Sequence, residues 1–223
     1  MTLSRKFIAK KILMRIDSYK ALFWDFDGVI KDSVDVKADA FVKLFEEYGA
    51  DVAEKVRRHH LANGGMSRFE KFPIYARWAG KELSKEQTEA YSKKFSSLAL
   101  QGVLDSEWVP GAQEYLRINR YNQIFFLVSA TPHDELVSIL NSLQLNGCFR
   151  SVFGAPLSKR DAIAKVMIVF ALSPTDCLMI GDARADIEAA QANGIDFLLR
   201  RHRSSDAIFA NYSGPSIRNF MDL

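Results

Sequence analysis

The chain has 223 residues, 48% of them hydrophobic and 26% charged, which suits a globular protein with one large core or one core plus a smaller insertion. Its net charge of +3 gives no case for a nucleic-acid partner and supports only a modest pull toward anionic small molecules. No apolar run is long enough to span a bilayer, so no stable membrane association is expected.

In chain order, "SRKFIAKKILMRIDSYK" comes first, with Phe7, Ile8, Ile12, Leu13 and Ile16 on one face of a basic helix. Such a helix can lie on a membrane or act as a transit segment. Its short stripe leads straight into an apolar strand, which favours packing on the domain instead. "ALFWD" reads as that buried strand, and a long, mostly helical stretch follows over 34–104. "PGAQEYLRIN" begins a helix and "QIFFLVSA" is a second buried strand. "TPHDELVSILNSLQLNG" reads as a helix with Thr131 as N-cap, Pro132 in the first turn and Asp134 completing a box-like pair. Leu136, Ile139, Leu140 and Leu143 share its apolar face. "SVFG" is a short strand, "SKRDAIAKVMIVFAL" a helix, "CLMIGD" a third buried strand, "ADIEAAQANG" a helix closed by Gly194, and "IDFLLR" the last strand. Cys148 and Cys177 lie far apart in sequence without metal-type spacing, so reduced thiols in a cytoplasmic protein are expected.

Short apolar strands alternating with amphipathic helices predict an α/β fold, a Rossmann-like parallel sheet with helices on both faces. The helical stretch is too long for a single crossover and is expected to be an inserted cap. The expected division is residues 1–30 and 105–223 for the core and 31–104 for the cap.

In such sheets ligands bind beyond the carboxyl ends of the strands. Asp25 and Asp27 follow the first strand, Ser129 ends the second, Asp182 ends the third, and Lys159 opens the helix after the short strand. Taken singly each has a bland reading as a turn residue, a helix first-turn acid or a surface lysine. Together, at successive strand ends, they point to one site.

The motifs "DFDGV", "VSA", Lys159 in "GAPLSKRDAI" and "IGDARADIEAA" resemble, in order, those of the haloacid dehalogenase-like superfamily. The insertion resembles the helical cap of its phosphoglycolate phosphatase and β-phosphoglucomutase branch. Arg160 departs from the proline often found there, with little consequence for the chemistry. The resemblance implies that Asp25 is a nucleophile forming an aspartyl-phosphate, and that Asp27 protonates the leaving alkoxide and then activates water. Asp27 would need a proton at neutral pH from its surroundings, because a free aspartate titrates near about 4. Asp25, the Asp27 carbonyl and Asp182 offer hard oxygen ligands for Mg²⁺. Ser129, the amide of Ala130 and Lys159 would hold phosphoryl oxygens, and Asp186 is expected to orient Lys159 or a metal-bound water.

The cap stretch "RRHHLANGGMSRFEKF" supplies candidate leaving-group contacts: His60, Asn63 and Arg68, with His59, Ser67 and Lys71 behind them. A helix break with a solvated basic face explains it equally well. "RRHR", Arg200 to Arg203, reads more readily as a solvated charge run than as an anion contact. The expected function is a Mg²⁺-dependent phosphatase for a small phosphorylated metabolite such as a sugar phosphate or phosphorylated hydroxy acid. The protein is expected to be a cytoplasmic monomer or homodimer. A phosphomutase is the alternative. A dehalogenase is disfavoured because that branch lacks the second aspartate; a phospho-accepting signalling domain is far shorter and has no cap. A silent binding protein would have lost a motif residue.

Overall fold

Four side chains, all withdrawn from water, make the first strand, β1 (Ala21–Trp24). The computed structural model describes residues 15–221 and 223. Most of the expected N-terminal helix, with Phe7, Ile8, Ile12 and Leu13, lies outside the described residues. Ile16 is buried and opens a 3-10 turn, Ile16–Ser18.

After β1 come four helices, α1 (Val34–Phe45), α2 (Ala50–Ala62), α3 (Arg68–Trp78) and α4 (Lys85–Asp105). Then follow α5 (Ala112–Ile118), β2 (Ile124–Pro132), α6 (His133–Ser142), β3 (Ser151–Ala155) and α7 (Lys159–Val169). The chain closes with β4 (Cys177–Gly181), α8 (Arg184–Ala192), β5 (Asp196–Arg200), α9 (Arg203–Ile208) and β6 (Ser216–Ile217). The sheet order is β3-β2-β1-β4-β5-β6, and every pairing is parallel. This is the α/β, Rossmann-like architecture expected from the alternating pattern.

Side chains on successive strand positions point to opposite faces, and both faces are covered. Leu22 and Trp24 join Phe125, Leu127, Leu178 and Ile180 on one side. Ala21 and Phe23 join Phe126, Val128, Cys177 and Met179 on the other. The unbroken apolar runs follow from this double burial. A third cluster, with Phe41, Phe45, Val56, Phe72, Tyr75 and Phe95, lies within α1–α4.

Two expectations need correction. Thr131 and Pro132 do not start α6: β2 continues through them, and Pro132 pairs with Ala155 of β3. Proline suits a helix's first turn as well as a strand's end, and the sheet partner that decides between them was invisible locally. The strand 195–200 is not the last, because β6 pairs beside β5 through Leu199–Ser216 and Arg200–Ile217. Two residues are too short to show a period.

Candidate active site

The central strand β1 delivers Asp25 and Asp27 to the carboxyl edge of the sheet, where β2 and β4 bring Ser129 and Asp182. Ser158 caps α7, its Oγ accepting from the Asp161 N–H at 3.1 Å, and the helix then presents Lys159 as its first residue. Lys159 Nζ lies 2.8 Å from Asp25 Oδ1 and 2.6 Å from Asp186 Oδ1. Asp186 is fully buried, and its Oδ2 accepts the N–H groups of Asp182 and Ala183 at 3.1 and 2.9 Å. It therefore fixes Lys159 and the loop after β4 together. Burial opposes the Lys159 charge, but Asp186 and Asp25 overcome it and hold the ammonium above the ordinary lysine range.

Carboxylate oxygens of Asp25, Asp182 and Asp186 lie within 4.8 Å of one another, all buried. Burial, then neighbouring carboxylates, push Asp25 well above the ordinary aspartate value despite Lys159. Asp182 is raised by burial and Asp186, although His202 Nε2 lies 2.7 Å from its Oδ2. Gly28, at φ +75°, follows Asp27; a Cβ there would collide with the Asp182 carboxylate.

Asp27 has two close side-chain partners. Ser33 Oγ donates to its Oδ1 at 2.6 Å, and the Lys37 ammonium of α1 pairs with its Oδ2 while also donating to Thr131 Oγ1 at 2.8 Å. Burial alone would raise its pKa, but Lys37 outweighs burial and holds Asp27 below the ordinary range. Its surroundings thus favour the carboxylate form of Asp27.

Several of these residues line an open cavity of about 520 Å³, solvent at its mouth included. The sheet edge contributes Asp25, Asp27, Ser129, Ala130, Thr131, Lys159 and Asp182. From α1–α3 and the turn between α2 and α3 come Lys37, Phe41, His60, Gly64, Gly65, Arg68 and Lys71, among others. Gly65 sits so close to Ala185 that a Cβ would clash, which gives the Asn63-Gly64-Gly65 break a packing reason.

The cap candidates divide. Arg68 borders the cavity, but its guanidinium is engaged in a two-pronged contact with Glu135 of α6 at 2.7 and 2.8 Å. Asn63 donates to the His59 carbonyl at 2.9 Å, and it is not among the lining residues. Ser67 caps α3, and its N–H donates to Glu70 Oε2 at 3.0 Å. His59 Nδ1 is 3.2 Å from the Tyr75 hydroxyl. Among these candidates His60 and Lys71 line the cavity and contact each other, their Nδ1 and Nζ 2.9 Å apart.

Three side chains near the site escaped sequence reasoning: Lys37, Thr131 and His202. Thr131 reads as a helix cap in the sequence, and Lys37 carries no pattern marking it toward Asp27. His202 lies inside the "RRHR" run, which is not simply solvated: Arg200 is buried against Asp32 at 2.9 Å, and His202 faces Asp182.

The model for haloacid dehalogenase-like hydrolases matches residues 19–194. The chain belongs to this family. Among curated relatives, it is 27% identical over 184 residues to phosphoglycolate phosphatase 1 of Pseudomonas aeruginosa, covering 79% of this chain and 67% of that one. Phosphoglycolate phosphatase of Photorhabdus laumondii is 28% identical over 226 residues, covering 97% and 94%. Among solved structures, β-phosphoglucomutase of Clostridium difficile has a TM-score of 0.71 at 18% identity, covering 92% of this chain and 93% of that one. As a haloacid dehalogenase-like hydrolase, the protein carries the family's sheet with a buried acidic cluster at its carboxyl edge.

Proposed function

We propose that this hydrolase is a Mg²⁺-dependent phosphatase acting on a small phosphorylated metabolite through an aspartyl-phosphate. The observation that carries the reading is the placement of Asp25: a buried carboxylate 2.8 Å from Lys159 Nζ, within 4.8 Å of the Asp182 and Asp186 oxygens. The all-oxygen donor set and its uncompensated negative charge fit a small hard cation. Asp25, the Asp27 carbonyl and Asp182 would hold Mg²⁺, which when bound neutralises charge between the carboxylate and the phosphoryl group.

Asp25 attacks phosphorus and the bond to the leaving oxygen breaks. Lys159, Ser129 Oγ and the Ala130 N–H hold the phosphoryl oxygens, with Lys159 aimed by Asp186. The leaving oxygen takes its proton from the Asp27–Lys37 pair, in which Lys37 Nζ faces Asp27 Oδ2. Asp27 then removes a proton from the water that attacks the aspartyl-phosphate, releasing phosphate and restoring Asp25. Residues 31–104 act as the cap and 1–30 with 105–223 as the core. The separate apolar cluster within α1–α4 supports that division.

The names of the two curated relatives, both phosphoglycolate phosphatases, support a phosphorylated hydroxy acid as substrate. A phosphomutase is the second reading, favoured by the way Gly65 and Arg68 close the helices over the sheet edge. Incubation with a panel of phosphomonoesters, assayed for free phosphate and for isomers, separates the two. No phosphate and no isomer from any compound would refute both.

A further inference from the structure

Four cationic side chains line the cavity: Lys37, Arg68, Lys71 and Lys159. Lys159 faces Asp25 and Asp186, Lys37 faces Asp27, and Arg68 faces Glu135. Lys71 differs. It is 1% exposed, and no carboxylate pairs with it among the described residues. Its Nζ lies 2.9 Å from His60 Nδ1 and 5.5 Å from the centre of the Phe41 ring.

A buried ammonium without a counter-ion is costly, and an apolar side chain would suit this position beside Phe41 and Phe72 better. Packing therefore gives no reason for a charge here. Burial, then Lys71 and Lys37, push His60 well below the ordinary histidine value, so the neutral ring accepts one Lys71 N–H. An ammonium has three donors, which leaves two for a ligand in the cavity.

Resting on the phosphatase reading above, we propose that Lys71, held by His60, receives a second anionic group on the leaving portion of the substrate, a carboxylate or a second phosphate. Phosphate binds at the sheet edge and the second anion at α3, across one cavity. Burial and Lys37 push the Lys71 pKa down to about 7, and an arriving anion restores its full charge. A neutral tail leaves the ammonium unpaired, so selectivity follows from both attraction and penalty.

The test is equilibrium binding to Asp25→Asn protein in Mg²⁺, which keeps phosphoryl compounds intact. The ligands are 2-phosphoglycolate, ethylene glycol bisphosphate and 2-hydroxyethyl phosphate, matched in length with carboxylate, phosphate and neutral tails. At least one anionic tail should bind about tenfold or more tighter than the neutral one, a ratio in keeping with a charge-assisted contact. The tighter of the two names the group. Adding Lys71→Met should bring that ratio to about one. Equal or undetectable binding of the three by the Lys71-containing protein, or a preference that survives Lys71→Met, overturns the assignment. The first comparison decides even if Lys71→Met does not fold. Wild-type turnover of the same compounds is measured separately. A binding preference without phosphate release supports the anion site and counts against the phosphatase reading.

Discussion

Arg68 of α3 and Glu135 of α6 form a two-pronged ion pair, Nη2 to Oε1 at 2.7 Å and Nη1 to Oε2 at 2.8 Å. Ser96 of α4 also donates to Glu135 Oε2, at 2.5 Å. The pair ties α3 to α6, so Arg68 is held by protein rather than free for substrate.

Removing one partner leaves the other charge buried. Arg68→Ala should lower unfolding free energy by about 3 kcal/mol, the low end for a broken buried pair. Replacing both, as Arg68→Met with Glu135→Leu, should recover most of it in urea unfolding. Burial raises the Glu135 carboxyl, but Arg68 and Ser96 overcome it and hold it below the ordinary glutamate range. A depressed carboxyl contributes stability that is full above its unfolded pKa of about 4.3 and fades as pH falls through the folded value. The double variant should therefore lose less stability than wild type on acidification below about pH 4.3. Equal acid sensitivity would remove the pair from the account.

Asp25→Asn should abolish phosphate release while the protein stays folded. The amide is nearly isosteric but a poor nucleophile, and Lys159 keeps its Asp186 partner. Circular dichroism and a phosphate assay check both halves; appreciable turnover by a wild-type-free preparation would sink the nucleophile assignment.

Mg²⁺ should be required for activity, and Ca²⁺ should inhibit because it favours more ligands at longer bonds. Burial and neighbouring acids raise Asp25 and Asp182, so their ionised forms destabilise the metal-free fold at neutral pH. Asp182→Asn should therefore be at least as stable as wild type in EDTA, yet lose the rise in Tm on adding Mg²⁺. For wild type that rise corresponds to about 2.7 kcal/mol at a hundredfold excess over Kd. Full activity after exhaustive chelation would refute the metal site.

His202→Ala removes the group 2.7 Å from Asp182 Oδ2. A partner behind a metal ligand orients it, and its loss weakens metal binding by about 10- to 100-fold. Titrating Mg²⁺ against Tm measures this without turnover. An unchanged midpoint would mean that His202 only packs α9.

What the sequence determined by itself is the set of features that local chemistry enforces. An apolar run such as "ALFW" between polar residues suits a doubly covered strand, and a carboxylate directly after it then falls at the sheet edge. That is why Asp25, Ser129, Lys159 and Asp182 were legible before any coordinates, and why a long helical stretch read as an insertion. Tertiary structure alone decided how the charges pair. Lys37 reaches Thr131 across 94 residues, Arg68 finds Glu135 across 67, and His202 meets Asp182 across 20. It also drew Thr131 and Pro132 into β2, since a strand's extent depends on its neighbour. Lysine and arginine look alike as charges in a basic stretch, so the sequence put Arg68 ahead of Lys71. Which of them a carboxylate neutralises is set by where Glu135 of α6 reaches α3: it meets Arg68, and among the described residues no carboxylate pairs with Lys71.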